Sequence, residues 1–538
     1  MKKRVFAGSL ILLIALAALL LKKEKPDDTV VGAEKISEIE NTYAPLDGGI
    51  FLYANGNALA ADANSHTFFL PTDPEGEWKN WQIRASLPTA EGDDLALYFE
   101  EDYTKTQKAE ALAGGKKFRF LAVGSGSYYE GFLVFTGLPL LSFSPTEQTD
   151  ETGQALFECR LYSETDGTKA VESFYTTAAL HGNTSRNFEK KSLRLRLKKI
   201  DGDGTVTKDD RKLLSMRKDD DWILKALYGD STRMRDKLAI DLWNEVGAAD
   251  TRYKNRFGNA ASYVEVVIGD AYQGIYLLME PIDKKQLGLD AVSLQLGSGT
   301  DQAHIERLYK KKYTGAWKAS DFTGEPPDPA APDYRSGWYL KGDTVLENEQ
   351  EWESLYELAS LLEADEETFR TKITETVDVQ NAVDNWLFYQ AIGGFDNLNK
   401  NYYYVTKNEN GSLKGYFVPW DMDLSFGAVY ADNAFYSEES KAALTLDAAW
   451  EPGARMIETN AGSARELAAA TWKKWRAGAF SGEALCARID ALEHTLMDSG
   501  AFAREMERWP SGNADPDLSF LRSFAEKRPE YLDAYLGD

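Results

Sequence analysis

Hydrophobic and polar positions change rhythm several times along the chain. Val5 to Leu21 is an unbroken low-polarity run between the basic Met1-Lys2-Lys3-Arg4 and Lys22-Lys23-Glu24-Lys25. A helix of that length spans roughly 26 Å, the short end for crossing a bilayer. No small-x-small cleavage site follows directly, so residues 1–23 read as a retained signal anchor, with a cleaved signal peptide as the alternative. No cysteine lies there for lipoprotein processing. Residues 24–47 are polar, contain Pro26 and Gly32, and read as a linker. From 48 to 137 short apolar runs such as "HTFFLPTD", "DDLALYFEED" and "YYEGFLVFTG" are broken by turn residues. That spacing predicts a small all-β, sandwich-like domain.

Strand-length runs continue from Leu138 to Ala179. In "KKSLRLRLKK" period-two alternation puts Lys191, Leu193, Leu195 and Leu197 on one side, and Lys190, Ser192, Arg194, Arg196 and Lys198 on the other. Met234, Leu238, Leu242 and Val246, with Ala239 and Trp243, form one apolar helix face. "SYVEVVIGDAYQGIYLLMEPID" predicts a hairpin turning at Gly269-Asp270. Helical patterns follow at 350–362, 366–376, 379–392, 464–476, 482–497 and 518–535, and the Pro-, Gly- and Asp-rich stretch 315–335 reads as a mobile loop. Strands with one helix followed by mostly helices predict an α+β fold with two lobes, about 138–282 and 283–538.

Composition narrows the function. Hydrophobic residues at 43% and aromatics at 12% support packed domains. A net charge of −25 argues against nucleic acid as a partner, although a basic strand and a metal can reverse the sign inside one cleft. Two distant cysteines, Cys159 and Cys486, give neither a zinc site nor a disulfide framework. No HExxH or GxSxG motif is present. "DGDGTVTKDD" at 201–210 resembles a calcium loop, but the first ligand position falls on Lys199, so it reads as a polar hairpin tip.

Four segments carry candidate chemistry. Lys191 shares a strand side with three leucines and needs an anionic partner there; a phosphate would serve, and Lys190 is the alternative. Asp396 precedes Asn401 by five residues, the spacing of a protein-kinase catalytic loop. An aromatic hairpin then leads to Asp421 and Asp423, which share a face if extended and repel unless a cation lies between them. Mg²⁺ or Mn²⁺ suits such oxygen ligands. The strand "GIYLLMEPID" ends at Met279, Glu280 and Pro281, where a kinase hinge would receive adenine. The triplet Asp219, Asp220 and Asp221 reads as a solvated loop, with metal binding as the alternative.

Taken together, "GNTSRNFEKKSLRLRL", "DDDWILKALYGDSTRMRDKLAIDLWNEVG", "YQGIYLLMEPID", "GGFDNLNKNYYYV" and "VPWDMDLSFG" resemble the CotH (spore coat protein H) family of atypical protein kinases, over roughly 138–538. The resemblance implies a two-lobed kinase-like domain that uses ATP and a divalent metal to phosphorylate Ser or Thr of an extracytoplasmic or coat-type protein. It implies Asp396 as the catalytic aspartate, Asn401 with Asp421 or Asp423 as metal ligands, and Lys191 as the phosphate lysine. His181 stands where the family often has arginine. The alternative is an altered kinase fold performing AMP transfer or glutamylation, or a pseudokinase acting as a surface binding or structural protein. With the N-terminal segment, the expectation is a membrane-anchored protein outside the cytoplasm, or a secreted one if that segment is cleaved.

Overall fold

The computed structural model describes residues 29–73, 81–89, 93–165, 168–247, 257–289, 306–325, 327–341, 349–428 and 450–536. The anchor expectation for 1–23 falls outside the described residues. Within them, no helix is long and apolar enough to cross a membrane. The described chain is a mixed α+β protein.

Strands drawn from residues 29–136 make one ten-stranded sheet. Alternation along its strands gathers Leu95, Leu97, Phe99, Phe118, Phe120, Leu133 and Phe135 into one core. The described part of the expected linker is not bare chain, because Gly32–Thr42 is a helix. Its Ile36 and Ile39 pack on Leu121 and Val123 of the sheet. Two apolar residues three apart are too short a stripe to signal a helix from periodicity alone.

The next sheet draws on residues 140–279. Strand Thr168–Leu180 pairs with Ala155–Thr165 on one side and with Leu193–Ile200 on the other, which closes seven strands into a barrel. Every strand contributes inward residues at alternate positions: Leu141 and Phe143, Cys159 and Leu161, Phe174, Leu195 and Leu197, Trp222 and Leu224, Val264 and Val266, Tyr276 and Leu278. The leucines of "LRLRL" therefore face the barrel interior and the arginines do not. The hairpin 261–279 forms as its pattern predicts, with a bulge between Val266 and Val267. Residues 201–204 form the tip of the hairpin joining Leu193–Ile200 to Val206–Lys208.

Outside the barrel, Tyr263, Ile275, Leu277 and Met279 meet Leu238, Leu242, Trp243 and Val246 of helix Arg235–Val246. That core continues into the C-terminal helices and a five-stranded sheet built from Arg307–Lys311, Tyr334–Arg335, Trp338–Leu340, Tyr402–Glu409 and Ser412–Pro419. Helix Val379–Ile392 is buried from Asn381 to its end and forms the axis of this region. Helices Glu451–Thr459 and Ala501–Arg508 were not legible as patterns in the sequence. The stretch 315–335 packs down, with Trp317, Phe322 and Arg335 buried. Cys159 is buried, Cys486 is half-buried, and neither is in a disulfide.

Candidate active site

Helix Val379–Ile392 sets the position of the acidic loop. Asp378 caps its first turn by accepting the Asn381 N–H, and Gly393, at φ +59°, ends it. Asn381 holds the neighbouring hairpin by exchanging hydrogen bonds with the backbone of Phe417. Beyond the helix, the buried Asn397 amide donates to the Asn401 and Trp420 carbonyls, both at 2.9 Å, and ties two loops together. Asp396 then accepts from Asn401 Nδ2 at 2.7 Å and from Lys400 Nζ at 3.1 Å. Asn401 and Asp421 both adopt left-handed backbone, at φ +61° and +57°. Asn and Asp are the non-glycine residues that adopt this conformation most readily. Asp421 and Asp423 therefore converge through a turn and not through strand alternation.

The cation they face is Lys225, the last residue of strand Asp221–Lys225. Its ammonium contacts Asp421 and lies 2.8 Å from Asp236 and 3.3 Å from Asp423. Asp236 sits in the first turn of helix Arg235–Val246, a favourable place for a carboxylate. Its other oxygen accepts the Met422 N–H at 2.8 Å, so one side chain links strand, helix and acidic turn. Burial alone would lower the Lys225 pKa, but Asp236, Asp421 and Asp423 together raise it well above the ordinary value. Burial acts upward on Asp421, yet Lys225 outweighs it and holds that carboxyl low. Burial takes Asp423 up to about 7 against the pull of Lys225, with Asp421 and Asp236 adding repulsion. Burial also raises Asp236.

Lys225, Asp396, Lys400, Asn401, Asp421 and Asp423 line a cavity of about 840 Å³, with Asp236 buried behind Lys225. Its other walls are the loop 181–186, the segment Lys225–Ser231, and residues Lys310, Lys312, Tyr339 and Lys341 of the five-stranded sheet region. Among the described residues, nine lysine or arginine and five aspartate side chains line it, so this described wall is cationic in a chain of net charge −25. His181 lies in this wall, where burial first, and then Lys310, lower its pKa to about 3.

Of the residues singled out from sequence, Asp396, Asn401, Asp421, Asp423, Lys190 and Met279 reach the cavity. Lys190 is fully buried and paired with Glu505 at 2.8 Å, and burial lowers its pKa to about 8. Lys191 is not among the lining residues; its ammonium donates to the carbonyls of Arg186 and Phe188. Glu280 is a structural acceptor, taking the Arg217 N–H at 2.7 Å and the Ala260 N–H at 3.0 Å, while its own N–H donates to the Ala260 carbonyl. In the aspartate triplet, Lys285 bridges Asp219 and Asp220 at 2.9 and 2.8 Å, and Asp221 pairs with Arg194. Sequence reasoning missed Lys225 and Asp236. The available signal was "WILK", a buried apolar run that ends on a cation just before a helix opening with an aspartate.

A strand lysine paired to a helix carboxylate and facing two acidic loops across a cationic cavity is equipment for handling phosphate, the mark of a kinase-type transferase. Residues 178–532 match the family model described as CotH kinase protein, and the chain belongs to that family. No curated protein matches the chain.

Proposed function

We propose that the protein transfers the terminal phosphoryl group of ATP to a Ser or Thr hydroxyl of an extracytoplasmic protein. The observation that carries this reading is the convergence of Asp396, Asn401, Asp421, Asp423 and Lys225 on one cavity, with Lys225 held from behind by the buried Asp236. Four carboxylates meet two directly paired ammonium groups there, Lys225 and Lys400. The remaining negative charge and the all-oxygen donor set suit Mg²⁺ or Mn²⁺. Asp421, Asp423 and the amide oxygen of Asn401 would hold the metal, which supplies charge neutralisation to the phosphates when bound.

The chain's own groups do the rest. Asp396 is positioned by Asn401 and Lys400 to accept a hydrogen bond from the acceptor hydroxyl and orient it. Lys225 is fixed by Asp236, as a kinase strand lysine is fixed by its helix glutamate, and aims its charge at the phosphate chain. The barrel and the helical region then act as the two lobes of the site. Most of the rate would come from this fixed placement of charge. The apolar run at 5–21 supports an anchored protein acting outside the cytoplasm.

The test is incubation of the full chain with ATP, Mg²⁺ or Mn²⁺ and candidate acceptor proteins, read by intact mass. A gain of one phosphoryl group that disappears in the Asp421→Ala/Asp423→Ala double variant is expected. Gain of an adenylyl group, or of a glutamyl group when glutamate is added to the mixture, would replace the reading with another transfer chemistry. Full activity in the double variant would defeat the site assignment.

A further inference from the structure

The five-stranded sheet turns a row of lysines toward the cavity. Lys310 lies opposite Tyr339 on one neighbouring strand and opposite Tyr403 on the other. With period two, Lys310 and Lys312 share a face, as do Tyr339 and Lys341. The intervening Lys311 points away, where it donates to the carbonyls of Gly315 and Ser336 at 3.2 and 2.9 Å. Lys310 sits 5.0 Å above the Trp420 ring and 5.3 Å from the Tyr403 ring, and Lys312 lies 5.3 Å from the Tyr339 ring.

Most other cations of the cavity are paired with carboxylates; Arg186 has no ion pair among the described residues and donates to the Leu180 carbonyl at 3.0 Å. Lys190 has Glu505, Arg194 has Asp221, Lys225 has three aspartates, and Lys400 has Asp396. Among the described residues, Lys310, Lys312 and Lys341 have no ion pair, and Asp333 on the same wall pairs with none of them. Burial, against the pull of Asp421, takes Lys310 down to about 7, and burial lowers Lys341 as well, so the protonated form of this wall is costly and an external anion stabilises it. The rings under Lys310 and Lys312 hold the stems in place without neutralising the charge.

We propose that Lys310, Lys312 and Lys341 form a binding wall for the phosphate chain of a nucleoside triphosphate. The inference rests on the nucleotide-dependent reading above and adds to it residues outside the lysine and aspartate motifs. Trp420, on which Lys310 lies, immediately precedes Asp421. The wall is thus beside the carboxylates that would hold the metal on that same phosphate chain. An ammonium row fits a flexible polyphosphate, which offers acceptor oxygens in several directions, better than one planar carboxylate.

Titration calorimetry on the full chain, with magnesium tripolyphosphate, MgATP and adenosine as separate titrants, tests this. Lys310→Gln and the Lys310→Gln/Lys341→Gln pair should weaken tripolyphosphate and MgATP binding tenfold or more and leave adenosine binding unchanged. Lys310→Arg should restore most of the affinity, which a purely structural role in folding would not require. Wild-type affinity for tripolyphosphate in Lys310→Gln overturns the proposal. So does competition by a phosphoserine peptide but not by tripolyphosphate, which would assign the wall to the acceptor. Lysine-dependent tripolyphosphate binding without any phosphoryl transfer would keep this wall and defeat the kinase reading. Normal transfer with unchanged KM for ATP in Lys310→Gln would do the reverse.

Discussion

His181 shows how burial sets the chemistry of one residue. Enclosed beside Lys310, its imidazole is held neutral down to about pH 3, whereas in the unfolded chain it takes up a proton below about 6.5. Between those limits the unfolded state binds more protons than the folded one, so this residue's contribution to stability is present above about pH 6.5 and is lost as pH falls. His181→Gln should therefore melt with a shallower decline than the parent between about pH 6.5 and 4, by circular dichroism. Parallel curves would show that the imidazole is not held neutral. The same scale explains the site lysine. A lysine next to apolar residues looks alike in sequence whether its ammonium meets backbone carbonyls, as Lys191 does, or three carboxylates, as Lys225 does. Asp396, Asn401, Asp421 and Asp423 were legible because their spacing is local and their residue types are few. Lys225 and Asp236 were not, because their partners lie far along the chain.

At the scale of elements, helix Ala501–Arg508 shows what a pattern conceals. It lies at the far end of the chain but packs on the hairpin 261–279, where Arg508 donates to the Tyr272 carbonyl and Trp509 to that of Gln273. Its buried Glu505 accepts from Lys190, from Arg233 at 3.1 Å, and from the Ile275 N–H at 2.9 Å. Gly274 makes room for it: at φ +83° a Cβ there would stand 2.0 Å from a Glu505 oxygen. Glu505→Gln would leave two buried cations without their carboxylate. Breaking a buried pair of this kind costs about 3 kcal/mol or more, to be read as an earlier midpoint in urea unfolding with unchanged slope. An unchanged midpoint would mean that the helix is not the clamp on this side of the cavity. In sequence "AFAREMERWP" gives eight helical residues with two arginines and two glutamates, which looks like a solvated surface turn. Arg504 and Glu505 are instead buried against Glu265 and Lys190.

Across the whole molecule, the first sheet and the barrel meet through a small, well-defined joint. Asp62 accepts the Tyr272 N–H at 2.9 Å while also receiving Ser65, the Ala63 N–H donates to the Asp270 carbonyl, and Phe69 stacks on Tyr272 at 4.9 Å. Phe69, Val134, Leu140, Tyr162, Val267 and Tyr272 form a separate cluster at this joint. Asp62→Ala leaves buried amide groups unsatisfied, at about 1–3 kcal/mol. The expected result is an earlier calorimetric transition of the first sheet, resolved from that of the remainder. A single unshifted transition would show that the joint does not couple the two units.

The sequence alone determined what depends on short-range periodicity and residue chemistry. The strand alternation, the hairpin at Gly269-Asp270, the face of helix Arg235–Val246 and the helix Val379–Ile392 all follow from spacings shorter than one element. The tertiary structure decided which strand edges meet to close the barrel, and which of several lysines faces the acidic turns. It also brought Glu505 to Lys190 and set a row of lysines beside Asp421. Those outcomes depend on contacts between segments tens to hundreds of residues apart. A one-dimensional pattern fixes the face on which a side chain lies, but the neighbour that face will meet is set only when the chain folds.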